Sequence, residues 1–155
     1  MIILPLTYLG NTRYFSLLSS GDCIVDLGEH YVKQTYRNRC DILSANGPTS
    51  LTVQVVKGGS REKRPVKDIR IDYSKRWQHQ HREALVSAYR ISPYFDHYCP
   101  HMAAFYEKRL DFLVDFYLRI LYFVFTLTKV AQTPTISLTS ILPPPGVTDF
   151  LGVFS

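Results

Sequence analysis

Residues 116–128, FYLRILYFVFTLT, constrain this chain more than any other stretch. One charge, Arg119, interrupts them, and Asp115 and Lys129 bound them. The run falls short of the ~18–20 apolar residues a membrane span needs, so it reads as a helix buried in protein. The pattern extends it backwards to Met102 or Phe105 and forwards to Lys129. Asp111, Asp115, Arg119, Tyr122, Thr126 and Lys129 trace its single polar stripe, and Asp115 can pair with Arg119 one turn on. The rest of its surface is Leu, Phe, Val and Tyr. A helix apolar over most of its circumference must be covered, and a sheet is expected to cover it.

The strands for that sheet are legible upstream. Ile2 to Leu6 reads as a short buried strand, and Asn11 to Ser19 as a helix capped by Asn11 or Thr12. Gly21-Asp22 breaks that helix before a second strand, CIVDL at 23–27. This β–α–β opening favours an α/β fold with a parallel pair. Lys33 to Ser44 and Leu51 to Val56 read as a hairpin around the turn AlaAsnGlyPro at 45–48. VKDIRI, residues 66–71, reads as an edge strand. From Lys75 the period changes to helical: Trp77, His81, Leu85 and Tyr89 form one stripe, and Pro93 stops it near Ser92. Tyr94 to Tyr98 reads as one turn of helix, and Pro134 to Leu138 as a last strand. The expectation is a single α/β domain over 1–140, with a mixed sheet of about five strands. A long C-terminal helix and a shorter one pack it. Residues 141–155, opening ILPPPG, read as an irregular Pro-rich tail.

Composition enters where it excludes. At 46% hydrophobic and 20% charged, the chain reads as an ordinary globular protein, and disorder as its main state is excluded. The net charge of +5 is local: residues 57–76 hold eight Lys or Arg against Glu62, Asp68 and Asp72, and the remainder balances. One basic segment without an RNA-binding motif speaks against a nucleic-acid binder. The three cysteines, Cys23, Cys40 and Cys99, are unpaired in spacing, and MIILPLTYLGN lacks the basic start of a signal peptide. Both features fit a cytoplasmic protein with reduced thiols. HYCPH at 97–101 is poorly spaced for zinc, and Pro100 is expected to prevent a helix there, so no metal is assigned. No glycine-rich phosphate loop, GxSxG or HExxH is present, and nothing names a cofactor or specifies an oligomer.

Three constellations can carry chemistry. As a strand, KQTYRNRC (33–40) places Lys33, Thr35, Arg37 and Arg39 on one face and Gln34, Tyr36, Asn38 and Cys40 on the other. The cationic face is either a solvated edge or a comb for a phosphate or carboxylate. Cys40 lies beside a cation, but without a His partner it reads as a buried structural thiol. In VKDIRI, Lys67 faces inward with Ile69 and Ile71, and Asp68 and Arg70 point out. Its strand setting makes these three better candidates than the adjoining REKR loop, which reads as solvated. His81, between Trp77 and Tyr89 on its stripe, is either a core histidine or an acid–base group.

These residues resemble the WbqC-like protein family. The resemblance rests on LPLTYLGNTRYFSLL, HYVKQTYRNRCDILSANGPTSLTVQV, VKDIRI, W-x3-H, SAYRISPYFDHY and FYEKRLDFLVDFYLRIL, in order over about residues 2–138. It implies a setting in bacterial O-antigen or other surface-polysaccharide synthesis, with glycine or other aminoacyl transfer among the activities proposed for such proteins. It marks Tyr8, Lys33, Tyr36, Arg37, Asn38, Arg39, Lys67, Asp68, Arg70, Trp77, His81, Tyr89 and Tyr106. Members of the family usually continue well past this point, and ILPPPGVTDFLGVFS departs from their continuation, so a truncated or frame-shifted family region is expected. The expected function is an acyl or aminoacyl transferase acting on an activated sugar. Its partner would be an anionic small molecule such as a nucleotide-sugar. Arg37, Arg39 and Lys67 would form the clamp, with His81 and Asp68 catalytic. Tyr8, Lys33, Tyr36, Asn38, Arg70, Trp77 and Tyr89 would contact the ligand. The alternative is a non-catalytic binding or scaffold protein of the same pathway.

Overall fold

The computed structural model describes residues 1–57, 64–129, 133–141 and 148–149. The chain is α/β, with the β–α–β opening as read: β1 (Ile2–Pro5), α1 (Thr12–Ser19) and β2 (Cys23–Asp26), β1 and β2 pairing in parallel. Asn11 caps α1 by accepting from the Tyr14 backbone N–H at 2.9 Å. The hairpin β3 (Arg39–Ser44) and β4 (Gly47–Thr52) is antiparallel, and Gly47 takes the positive φ of 103° that its turn requires. A short 3₁₀ turn (Val66–Asp68) precedes helices α2 (Trp77–Tyr89), α3 (Phe95–Glu107) and α4 (Leu113–Thr128).

Parallel and antiparallel pairs divide between two sheets. Strands β5 (Thr135–Ser137) and β6 (Thr148–Asp149) join the first, in the order β5-β2-β1-β6, and the hairpin stands as a second. The last pair matters for the tail, which was expected to be irregular: 148–149 pair in parallel with Ile2–Ile3 of β1. Ile141 is also tied down, its N–H meeting the buried carboxylate of Asp26 at 3.1 Å. The rest of that tail, and most of the REKR loop, lie outside the described residues.

The C-terminal helical region departs from a single long helix. It breaks at 108–112, because that connector is claimed by strand-like pairing. Ile71 N–H donates to the Asp111 carbonyl and Leu113 N–H to the Ile69 carbonyl, each at 2.9 Å. Tyr73 clamps the same connector, its hydroxyl both giving to and accepting from the Leu110 backbone at 2.8 Å. Those bonds compete with the helical ladder and win locally. VKDIRI accordingly is no continuous strand: 66–68 turn, and only isolated bridges at Arg70 and Ile71 follow. Upstream, α3 runs through Pro100, against expectation. Pro100 lies on the exposed side, where water can meet the carbonyl it orphans, and the buried side of α3 offsets the lost bond.

The polar stripe of α4 holds: Asp115, Arg119, Tyr122 and Thr126 are exposed, though Asp115 and Arg119 form no ion pair. At solvent-exposed positions such a pair is worth only about 0.3–0.5 kcal/mol. Leu113, Phe116, Tyr117, Ile120, Leu121 and Phe125 fill the opposite face and meet the core. Rings from α4 pack on Tyr8, just past β1, with Phe116 at 6.0 Å and Tyr117 at 5.3 Å between centroids. Each such buried aromatic contributes roughly 1.5–3 kcal/mol of transfer free energy.

Candidate functional site

The stripe read on α2 is real, and it builds the site. Trp77, His81 and Leu85 are buried and Tyr89 half-buried. Trp77 meets the His81 ring edge-on at 5.1 Å and donates through Nε1 to the Asp72 carbonyl at 3.0 Å. His81 is only 4% exposed. Its Nδ1 lies 2.9 Å from the Tyr8 hydroxyl, which lies 2.6 Å from the Tyr106 hydroxyl on α3. Burial lowers the His81 pKa to about 4, the Thr52 backbone opposing it weakly. The ring is therefore neutral at pH 7.

A neutral His81 carries its proton on one ring nitrogen. With that proton on Nε2, Nδ1 accepts from the Tyr8 hydroxyl and Tyr8 accepts from Tyr106; with it on Nδ1, the order reverses. Burial pushes both phenols above their ordinary pKa, so they work as neutral hydrogen-bonding groups.

Tyr106 ends this chain in the wall of a cavity of about 220 Å³. Tyr73, Gln78, His79 and Glu107 line it together with four cations: Lys75, Arg76, Arg82 and Arg109. Against the one carboxylate this leaves a local excess of +3, and none of the four cations is ion-paired among the described residues. The Arg109 guanidinium lies 5.2 Å from the Tyr73 ring centre. Arg76 caps α2 without a side-chain hydrogen bond, and the positive end of the helix dipole lies at the same end.

The stretch 33–40 folds otherwise than expected. Residues 33–38 form turns, and β3 begins only at Arg39. Asn38 is the physical cause: its side chain accepts from the Gln34 N–H at 3.1 Å and curls the segment back. Gln34 pays with a φ of 61°. Alternation is lost, and the three cations do not share a face. Arg37 turns inward to a bidentate pair with buried Glu29, at 3.0 and 2.7 Å. Lys33 and Arg39 stay exposed. A second cavity, about 140 Å³, does open here, beside Gln34, Thr35, Tyr36, Arg39 and Asp41. Its one guanidinium lies 3.7 Å from its one carboxylate, so its net charge is zero.

Of the other expected site residues, the fold brings Tyr8, Trp77 and His81 together and adds Tyr106. Tyr36 offers its carbonyl to the Tyr8 N–H at 2.8 Å. Lys67, expected to face inward, gives its ammonium to the Leu138 carbonyl at 2.9 Å. Asp68 is exposed, and no hydrogen bond or ion pair joins it to His81. Arg70 lies over Phe112 at 5.2 Å. Cys40 is buried and its thiol pushed up to about 12, the structural thiol of the two readings. Tyr73, Lys75, Arg76, Arg82 and Arg109 were missed as site residues. Arg82 alone had a local signal, one turn beyond Gln78 on the helix.

Among the described residues, no group of three or more His, Cys, Asp or Glu is placed to hold a metal ion, and no helix is long and apolar enough to cross a membrane. The model of the WbqC-like protein family matches residues 7–148. No curated protein and no solved structure matches.

Proposed function

The chain belongs to the WbqC-like protein family, whose membership suggests a role associated with polysaccharide biosynthesis, and from that premise we propose an acyl or aminoacyl transferase acting on an activated sugar. The observation that carries the proposal is the buried chain His81–Tyr8–Tyr106 ending in the wall of the +3 cavity. Lys75, Arg76, Arg82 and Arg109 hold the anionic group of the donor or of a nucleotide-sugar, as charge-assisted hydrogen bonds suit phosphate. This reading moves the clamp away from Arg37, whose charge Glu29 already meets, and from Lys67.

Magnitude decides the role of His81. Protonating a group of pKa about 4 at pH 7 costs about 4 kcal/mol, so the chain serves orientation better than proton storage. In this reading His81 is the Nε2–H tautomer, so Tyr106 donates to Tyr8 and turns a lone pair to the cavity. There it accepts a hydrogen bond from the amine or hydroxyl that attacks. The attacking atom bonds to the acyl carbon, the bond to the donor's leaving group breaks, and the displaced proton goes to that leaving group. Tyr106 is the catalytic residue, and Tyr8 and His81 position it.

Calorimetry with UDP- and dTDP-sugars tests the anion site. Binding should weaken at least tenfold in Arg82→Ala and in Arg109→Ala, the value of one charge-assisted bond. No heat with the wild type, or wild-type affinity retained in both variants, would sink it. A non-catalytic binding protein is the second reading, favoured because no carboxylate pairs with His81 among the described residues. Product formation from an acyl donor and an amino-sugar, lost in Tyr106→Phe while sugar binding survives, would decide for the enzyme.

A further inference from the structure

The charged cavity has an apolar neighbour. A space of about 340 Å³, within the range of small-ligand pockets, lies between α2, α3 and α4. Leu85, Met102, Phe105, Phe123 and Val124 dominate its wall, and no charged side chain lines it. Tyr106 belongs to both walls. Between them a narrow gap of about 10 Å³ is bordered by Arg82 and Tyr106 of the charged cavity and by Leu85 and Met102 of the apolar one.

Helical geometry makes these parts of one cleft. Gln78, Arg82, Leu85 and Tyr89 stand at i, i+4, i+7 and i+11, a single face of α2. The first two line the charged end and the last two the apolar end. From Arg82 to Tyr89 the face runs roughly 10 Å at 1.5 Å per residue. The cleft thus changes from cationic to hydrocarbon along one line, with Tyr106 shared by both ends.

We propose that this cleft binds a single-chain anionic amphiphile, a medium-length acyl chain joined to a phosphate-bearing carrier. Resting on the transferase reading above, this names the donor's class: a hydrocarbon acyl group rather than a small aminoacyl group. The chain lies between α2, α3 and α4, the phosphate meets Arg82 and its neighbours, and the bond between chain and carrier falls at Tyr106. A ligand with only one of these parts leaves half the cleft unused.

The probes are inorganic phosphate and hexyl, octyl and decyl phosphate, titrated below their micellar concentrations, with decanol as the uncharged control. Each added CH₂ should tighten binding about fourfold, the equivalent of about 0.8 kcal/mol, until the apolar end is full. Arg82→Ala should weaken every phosphate, and Met102→Trp, which fills the apolar end, should flatten the chain-length series while sparing inorganic phosphate. Wild-type measurements stand alone if that variant fails to fold. Phosphate binding with no gain from hexyl to decyl would overturn the amphiphile and leave the transferase reading intact. Decanol binding as tightly as decyl phosphate would also overturn it, since the two ends would not share one ligand. Failure of every phosphate to bind would remove the charged site along with it.

Discussion

Replacing Arg37 separates a binding residue from a structural one. Arg37 is 3% exposed, and its guanidinium grips both oxygens of Glu29, itself 6% exposed. In Arg37→Met the buried Glu29 carboxylate loses this bidentate contact, and breaking a buried pair costs about 3–5 kcal/mol. In urea, with a slope near 2 kcal/mol/M, the midpoint should fall by about 2 M. The double variant Arg37→Met/Glu29→Leu removes both charges, and by the same reasoning it recovers most of the loss. Nucleotide-sugar affinity, measured on folded Arg37→Met, should match the wild type. The reasoning is refuted if the variant keeps its stability within about 0.5 kcal/mol and loses the ligand.

Three further outcomes follow from buried groups. His81 has a folded pKa of about 4 against 6.5 in the unfolded chain, so the unfolded state binds more protons between those values and stability falls as pH drops through that window. Wild type should lose about 2 kcal/mol between pH 8 and pH 5 through this group, and His81→Asn should lose visibly less; parallel urea curves for both would refute it. Tyr106→Phe keeps the ring and removes the hydroxyl, so transfer should fall at least tenfold while the thermal midpoint moves by only a few degrees. With its thiol pushed up to about 12, Cys40 should resist iodoacetamide at pH 8 while the half-buried Cys99 reacts, as peptide mass mapping will show.

Local signals were legible where local physics decides. The stripe Trp77–His81–Leu85–Tyr89, the Asn11 cap, the β–α–β opening and the turn at 45–48 all follow from periodicity or a single side chain. The polar stripe of α4 was readable too, because exposure follows helical period. Three features were not, each for a tertiary reason. Asn38 reaching Gln34 bends 33–38 out of a strand, and alternation then assigns Arg37 to the wrong side. Tyr73 holding Leu110 breaks a helix that its own composition would continue. The cationic cavity joins Lys75 to Arg109 across a chain reversal, and only Tyr106 among its residues was marked by the family resemblance.

The central claim is that anions bind among Lys75, Arg76, Arg82 and Arg109, beside Tyr106. Its most direct test is a two-dimensional NMR titration of the arginine Nε–H signals with a nucleotide-sugar. The account predicts saturable shifts at Arg82 and Arg109, with Arg37 and Arg39 unmoved. Shifts at Arg39 and at the Gln34 amide, with Arg82 and Arg109 silent, would contradict it and return the site to the small cavity beside Tyr36.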